Sequence, residues 1–380
     1  MKLLYVTSLS GKRINRFMKS AIVAAKELNI EFDIACNMDG ADKIGYQHDC
    51  DTYGIKAHHI PFHRNPLSPK NIRAYSKLKR LMKDNNYDIV HCNTPIGGLL
   101  GRLCAKKMDI KSVIYQAHGF HFWKGAPLKN WLFYYPIEKK LAKVTDYYLT
   151  INKEDFTLSQ KFKIRYGGLR KLIHGVGIDK IRTISDAEKT SLKNSLGIFN
   201  NQKVLISVGE LNNNKNHKLL INALSKIKND SIVCLICGEG KKRNFLEKMI
   251  KAKHLENVVH LLGFRSDVDK LLQISSLFIF PSFREGLPIS LMEAIECSVP
   301  CSASRIRGVV DLLPGSSLLF SPNSVNELTA AINQLNNRDL LNNEIAINSI
   351  NISKYEFDNV VKELKDIYSL ASKKVLGSNE

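Results

Sequence analysis

Two carboxylates in register could do chemistry in this chain: Glu285 and Glu293, in Pro281-Ser282-Phe283-Arg284-Glu285-Gly286-Leu287-Pro288-Ile289-Ser290-Leu291-Met292-Glu293. The stretch follows an apolar run, Leu277-Phe278-Ile279-Phe280, that reads as a buried parallel strand. Pro281 and Gly286 break that strand. Pro288 suits the first position of a helix, on which Leu291, Met292 and Ile295 recur at helical spacing. First-turn amides have no partners within a helix and sit at the positive end of its dipole. They suit a phosphate. Proline lacks an N–H, so the candidate donors are Leu287, Ile289 and Ser290. One glutamate lies in the loop and the other on the second turn. Such a pair can grip hydroxyls at two places along one ligand, as on the sugar and the ribose of a nucleotide sugar.

Other polar groups directly follow apolar strands. They are His118, Gly209-Glu210, Gly238 and Gly263. In doubly wound sheets ligands bind beyond the carboxyl ends of the strands, so these residues and Glu285 belong on comparable edges. Several other patterns carry less. Asp49-Cys50-Asp51 and Asp267-Val268-Asp269 imitate metal-binding pairs, but neither directly follows a convincing apolar strand. His48, His58, His59 and His63 are dispersed among prolines. No metal is expected. Gly238-Glu239-Gly240 lacks the third glycine of a dinucleotide fingerprint. Cys234 and Cys237 have CxxC spacing, but inside a strand they fall on opposite faces. The eight cysteines are scattered, which favours reduced thiols.

The elements that position these groups alternate between short apolar strands and amphipathic helices. Strands are expected at Lys2–Thr7, Phe32–Cys36, Tyr87–Cys92, Val113–Ala117, Tyr147–Ile151 and Lys171–His174. Residues 37–70 read as loop-rich, and a helix is expected over Glu138–Ala142. The pattern restarts at Val204–Gly209 and continues through Ile232–Cys237, Val258–Leu262 and Leu277–Phe280. The polar region 180–200 lacks strong strands, and a linker is expected at its start. Two α/β domains follow, each a doubly wound, Rossmann-like sheet, over residues 1–180 and 181–356. A final amphipathic helix over 357–372 is expected to cross back to the first domain. At 380 residues and 44% apolar content, two ordinary cores are affordable. The chain opens on a short strand-like run, without a secretory signal or an apolar segment long enough to span a bilayer.

The net charge of +20 is uneven. Residues 1–180 hold 31 Lys and Arg against 15 Asp and Glu; residues 181–380 hold 25 against 21. The first half therefore attracts anionic lipid, a diphosphate-bearing acceptor or nucleic acid. No helix-turn-helix or RNA-binding aromatic motif supports nucleic acid.

Glu285 through Glu293 resembles the E-x7-E signature of retaining glycosyltransferases of family four, which have the GT-B architecture of two Rossmann-like domains facing each other across a cleft. Gly209-Glu210-Leu211-Asn212-Asn213-Asn214-Lys215 is similar to that family's phosphate-binding loop. Asn93-Thr94-Pro95 with Gly97-Gly98, His118-Gly119-Phe120-His121-Phe122 and Ile151-Asn152-Lys153-Glu154-Asp155 resemble a bacterial capsular and exopolysaccharide subgroup. The resemblance covers nearly the whole chain.

It implies a UDP-sugar donor, as substrate and without any cofactor, held mainly by the second domain. Glu285 would bond the donor sugar and Glu293 the ribose. Gly286, Leu287, Ile289 and Ser290 would line the diphosphate and sugar, with Gly209, Glu210 and Gly238 nearby. Lys215 would meet the diphosphate as charge builds on the leaving group. Gly263, Phe264 and Arg265 would lie at the base. His118 would contact the sugar near its anomeric carbon. Gly11, Lys12, Arg13, Phe120 and His121 would face the acceptor. The family's phosphate loop carries arginine where this chain has Glu210, so Arg265, Arg284 or Lys241 could supply the second positive charge. Its first loop carries paired glycines, and this chain has Gly11 alone.

The expected activity is transfer of a hexose or N-acetylhexosamine from a UDP-sugar, with retention, to a lipid-linked polyprenyl diphosphate saccharide. The setting would be capsule, exopolysaccharide or O-antigen assembly. A UDP-sugar 2-epimerase of the same fold is the rival enzyme, and a basic nucleic-acid-binding protein is the rival of another class. The expected location is the cytoplasm, peripheral at the inner face of the membrane. The aromatic-basic segment Phe120–Tyr135 would dock to lipid.

Overall fold

Runs such as Val204-Leu205-Ile206 are apolar at successive positions, and successive strand residues point to opposite faces. A strand of that kind needs cover on both sides, which parallel sheets flanked by helices provide. A computed structural model describes residues 1–8, 11–227 and 231–377 of the chain. It has two units of this kind. One holds Met1–Gly177 and the closing helix Phe357–Gly377; the other holds Ile178–Glu356.

The first unit contains strands β1 (Lys2–Val6), β2 (Glu31–Cys36), β3 (Lys56–His59), β4 (Ile89–Asn93), β5 (Ser112–Ala117), β6 (Tyr147–Thr150) and β7 (Leu169–Leu172). All pair in parallel, in the order β3-β2-β1-β4-β5-β6-β7. The second contains β8 (Lys203–Val208), β9 (Ile232–Cys237), β10 (Val259–Gly263), β11 (Leu277–Phe280), β12 (Cys301–Ser304) and β13 (Leu319–Phe320). Their order is β10-β9-β8-β11-β12-β13, again parallel. Leu205 and Cys234 pack on one face of that sheet, Ile206 and Cys237 on the other. The CxxC pair is thus split by the strand, and all eight cysteines are free thiols.

In each sheet the strand order reverses once, between β1 and β4 and between β8 and β11. A crevice opens beyond the carboxyl ends at such a point. Pairing of Leu277 with Leu205 and Phe278 with Ile206 brings the ends of β8 and β11 level.

The closing helix belongs to the first unit by specific bonds. Tyr368 Oη lies 2.8 Å from His91 Nδ1, and Lys374 pairs with the buried Asp146. Among the described residues no helix is long and apolar enough to cross a membrane.

Three local expectations are corrected. Residues 37–70 contain the helix Lys43–Tyr53 and strand β3. That helix buries only Tyr46 and Cys50, too few for a visible period, and starts where Asp42 accepts a bond from the Gly45 N–H at 3.2 Å. The helix expected at Glu138 begins at Leu128 and accommodates Pro136 internally. The region 180–200 has no strand, as expected, and holds the helix Asp186–Ser195, which buries none of its residues and is fixed by a Ser185–Glu188 capping box. Strand β7 runs two residues earlier than its apolar tail suggests.

Candidate functional site

The crevice between β8 and β11 is built by loops that lie backbone on backbone. The Gly209 N–H donates to the Cys237 carbonyl at 2.9 Å, the Gly238 N–H to the Gly263 carbonyl at 2.8 Å, and the Leu211 N–H to the Glu239 carbonyl at 2.9 Å. A Cβ on Gly238 would stand 2.0 Å from the Gly209 carbonyl oxygen, so only glycine permits this approach.

The loop after β8 then delivers Lys215. Its N–H is held by Asn212 Oδ1 at 2.9 Å, and its methylenes run beside Gly209. Its ammonium sits 4.7 Å from the Phe280 ring centroid and 2.8 Å from Glu285 Oε1. Both side chains are largely enclosed, at 21% and 17% exposure. Asn214 ties the two loops together: its carbonyl accepts from the Phe283 N–H at 2.8 Å and its Nδ2 donates to the Arg284 carbonyl at 2.9 Å. Asn216 adds bonds to the carbonyls of Pro281 and Pro322 at 3.1 and 2.9 Å. A lysine and a carboxylate seventy positions apart in sequence thus form one clasp across the reversal point.

The helix beside the clasp is Ile289–Glu296, with Pro288 as its N-cap rather than its first residue. No side chain caps it and its first turn carries no acid. Its leading N–H groups therefore point at the crevice end of the second sheet with the dipole's positive end. Ser290 Oγ reaches the Val208 carbonyl at 3.5 Å, and Glu293 is half-buried on the second turn.

Two further residues complete the geometry and were not singled out by sequence. Arg307, 7% exposed, donates from Nε to the Glu285 carbonyl at 3.1 Å. Gly308 has φ of 73°, and a Cβ there would lie 2.1 Å from the Gly286 carbonyl oxygen. The signal for both was a repeat of the pattern already seen: a strand, a basic loop, a glycine and then a helix.

Other expected donor residues sit differently. Glu210 is exposed, and the Phe264 ring is 81% exposed. Arg265 is committed to Asp267 by two bonds of 2.8 and 2.6 Å. Each carboxyl-guanidinium pair lowers the Asp267 carboxyl below its usual range. Arg13 pairs with Asp49 in the same way, at 2.7 Å from Nε. Both apparent metal-binding pairs therefore have an arginine on one carboxylate.

In the first unit, His118 follows β5 and meets Asn93 from the end of β4, with Nε2 2.9 Å from Asn93 Oδ1. Asn93 Nδ2 donates to the His91 carbonyl at 3.4 Å, which turns Oδ1 toward the ring. Nε2 is then the protonated nitrogen, and Nδ1 is an enclosed acceptor without a partner among the described residues. Phe17 stands edge-on with ring centroids 5.0 Å apart. Burial pushes the imidazole pKa down to about 4, so it is neutral at pH 7. At the adjoining reversal point Ser8 Oγ and Thr94 Oγ1 lie 2.8 Å apart.

The residues expected to face an acceptor differ in exposure. Gly11, Lys12 and Arg13 are exposed. The Phe120 ring is core, 4% exposed, stacked on Phe122 at 4.7 Å, with its N–H on Asp155 Oδ2. The ring packs into the core of the first unit, with Tyr148 and Phe162 also beside it. His121 packs its ring 4.7 Å from Tyr134.

Comparisons with known proteins agree with this fold. The family model for glycosyl transferases group 1 matches residues 188–351, and that for glycosyl transferase 4-like proteins matches residues 2–152. The chain is 39% identical over 255 residues to a Bacillus subtilis (strain 168) protein designated glycosyltransferase EpsD, spanning 66% of this chain and 67% of that one. It is 28% identical over 330 residues to the Escherichia coli UDP-Gal:alpha-D-GlcNAc-diphosphoundecaprenol alpha-1,3-galactosyltransferase, spanning 83% and 84%. Among solved structures, Anabaena HepE in complex with UDP-glucose superposes with a TM-score of 0.78 at 18% identity, over 97% of this chain and 99% of that one. WaaG, a glycosyltransferase involved in lipopolysaccharide biosynthesis, gives 0.72 at 15% identity, over 97% and 99%. With both sheets matched and the paired carboxylates seated at a strand-order reversal, this chain belongs to the family-four glycosyltransferases of GT-B fold.

Proposed function

We propose that the chain transfers a hexose or N-acetylhexosamine from a UDP-sugar to a polyprenyl diphosphate saccharide, with retention of anomeric configuration, in surface polysaccharide assembly. The observation that carries this is the Lys215–Glu285 clasp beside an uncapped helix start. A diphosphate on the amides of the Ile289 helix would draw Lys215 from its carboxylate partner. Glu285 is then released to bind sugar hydroxyls, and Glu293 reaches the ribose. Lys215 and the helix dipole stabilise the charge that develops on the leaving diphosphate. No enzyme nucleophile is invoked: the acceptor oxygen attacks on the face that the diphosphate leaves, and a phosphate oxygen takes its proton. The UDP complex of HepE and the diphosphoundecaprenol substrate in the name of the Escherichia coli relative support the donor and the acceptor classes.

The first unit also suits a peripheral position at the inner face of the cell membrane. Leu128 and Leu132 are 72% and 71% exposed on the helix that also carries Lys129, Lys139 and Lys140. Apolar side chains among lysines fit an anionic lipid surface.

The test is transfer of label from UDP-sugars to a synthetic polyprenyl diphosphate saccharide, with the product's anomeric configuration read by NMR. An α-linked product from an α-linked donor supports the reading. Release of free sugar at the same rate without acceptor, or an inverted linkage, overturns it.

A further inference from the structure

Beside the Lys215 loop the second unit holds a cavity of about 480 Å³, and none of the donor residues described above lines it. Its wall comes from the Asn212-Asn213 turn, the first turns of the His217–Leu224 and Arg243–Ala252 helices, Phe283 and the segment Pro322–Val325. That volume is within the range of small-molecule sites.

The lining has a consistent chemistry. Lys218 and Lys242 are on it, and no aspartate or glutamate is. Among the described residues neither lysine forms an ion pair with a carboxylate; Lys242 instead lies 5.4 Å from the centroid of the Phe245 ring. Two cations on a concave wall without compensating acids attract an anion. The amides of Asn213, Asn222 and Asn323 can donate to and accept from hydroxyls. The rings of Phe245 and Phe283, 46% and 42% exposed, offer apolar faces to the C–H side of a sugar or to a base. A bare ion would leave the amides and rings unused, and a neutral sugar would leave the lysines uncompensated.

We propose that this cavity binds a small phosphorylated sugar, separate from the donor site, and that its occupancy is coupled to the clasp. The coupling has a short physical route. Asn212 lines the cavity and holds the Lys215 N–H through Oδ1 at 2.9 Å. Phe283 lines it too, and its N–H bonds the Asn214 carbonyl at 2.8 Å. A ligand that shifts either wall shifts one side of the Lys215–Glu285 pair, and the effect on affinity is reciprocal.

The experiment titrates the full chain by calorimetry with glucose 1-phosphate, UMP, inorganic phosphate and glucose, each with and without saturating UDP. The site is supported if one phosphorylated sugar binds with Kd on the order of 1 mM or tighter while UDP is bound. Phosphate and glucose alone should bind at least about tenfold more weakly. Preference for UMP over glucose 1-phosphate assigns the site to nucleotides; the reverse assigns it to free sugar phosphates. Lys242→Glu and Phe245→Ala, both on the surface and outside the clasp, should each weaken that binding about tenfold and leave the affinity for UDP alone unchanged. Bound sugar phosphate should change the Kd of UDP by about fivefold or more. Displacement by UDP, indifference to both substitutions, or absence of saturable binding overturns the site. An unmoved UDP affinity overturns the coupling. UDP binding by the unaltered chain is scored separately, so failure here is distinct from failure of the proposed transferase activity.

Discussion

Glu285→Gln should tighten the binding of UDP while removing turnover. The Lys215 ammonium is bonded to the Glu285 carboxylate at 2.8 Å, and a diphosphate must compete for it. Two unit charges about 4 Å apart attract by roughly 4 kcal/mol at an effective dielectric of about 20. Both side chains keep some exposure, 21% and 17%, and desolvation offsets much of that attraction. A net of about 1–2 kcal/mol is left to be overcome on binding, as befits a pair between the surface and buried extremes. Glutamine keeps the shape and a neutral bond to the ammonium but gives up the charge. It also removes the negative charge nearest to an incoming diphosphate. The Kd of UDP should therefore fall by about tenfold, read by calorimetry at pH 7.5. Lys215→Met should raise it by at least about tenfold, and Glu285→Gln added to Lys215→Met should tighten UDP binding less than it does alone, because the competition is gone and only the relief of repulsion remains. Weaker UDP binding by Glu285→Gln, or strictly additive effects, would refute the competition between clasp and ligand.

Three further expectations follow from the same geometry. Gly308→Ala, at φ 73° with its Cβ 2.1 Å from the Gly286 carbonyl oxygen, should cost about 2–4 kcal/mol and abolish donor binding. Gly315→Ala has the same φ but nothing within 4 Å, and should cost only about 1 kcal/mol in denaturant unfolding. Burial lowers the pKa of His91 to about 3 and of His118 and His217 to about 4. An unfolded histidine titrates near 6.5, so between about pH 6.5 and pH 4 the unfolded chain binds protons that the folded chain refuses, and stability should fall as pH falls through that window. Denaturant midpoints at pH 7.5 and pH 5 check this, and His217→Gln should reduce the difference. Arg102→Met should cost roughly 3–5 kcal/mol in the same assay. Arg102 is 1% exposed and binds both Glu138 oxygens, at 2.6 and 3.0 Å, so its loss strands a buried carboxylate.

What was legible in the sequence follows from the range of the interaction that carries it. The β11 strand, the loop after it and its helix announce themselves within seventeen residues, because an apolar run, a glycine and a proline act locally. The two sheets were readable for the same reason. The helix Lys43–Tyr53 was not, since it buries two side chains and rests on a cap. Pairings between distant loops left no local trace either. Lys215 and Glu285 were each nominated from their own motif, yet nothing in either motif says that they bond to one another. Arg307 and Asn93 gained roles only when strand order placed them beside Glu285 and His118. Phe120 was named from its motif context, and the packing of its apolar ring in the core likewise left no local trace.

The most direct test is the structure of the full chain crystallised with an intact UDP-sugar. The expected density places the diphosphate on the first-turn amides of the Ile289 helix, with the Lys215 ammonium turned from Glu285 onto a phosphate oxygen and Glu285 on a sugar hydroxyl. A nucleotide bound elsewhere in the chain, with Lys215 still paired to Glu285, would contradict the account.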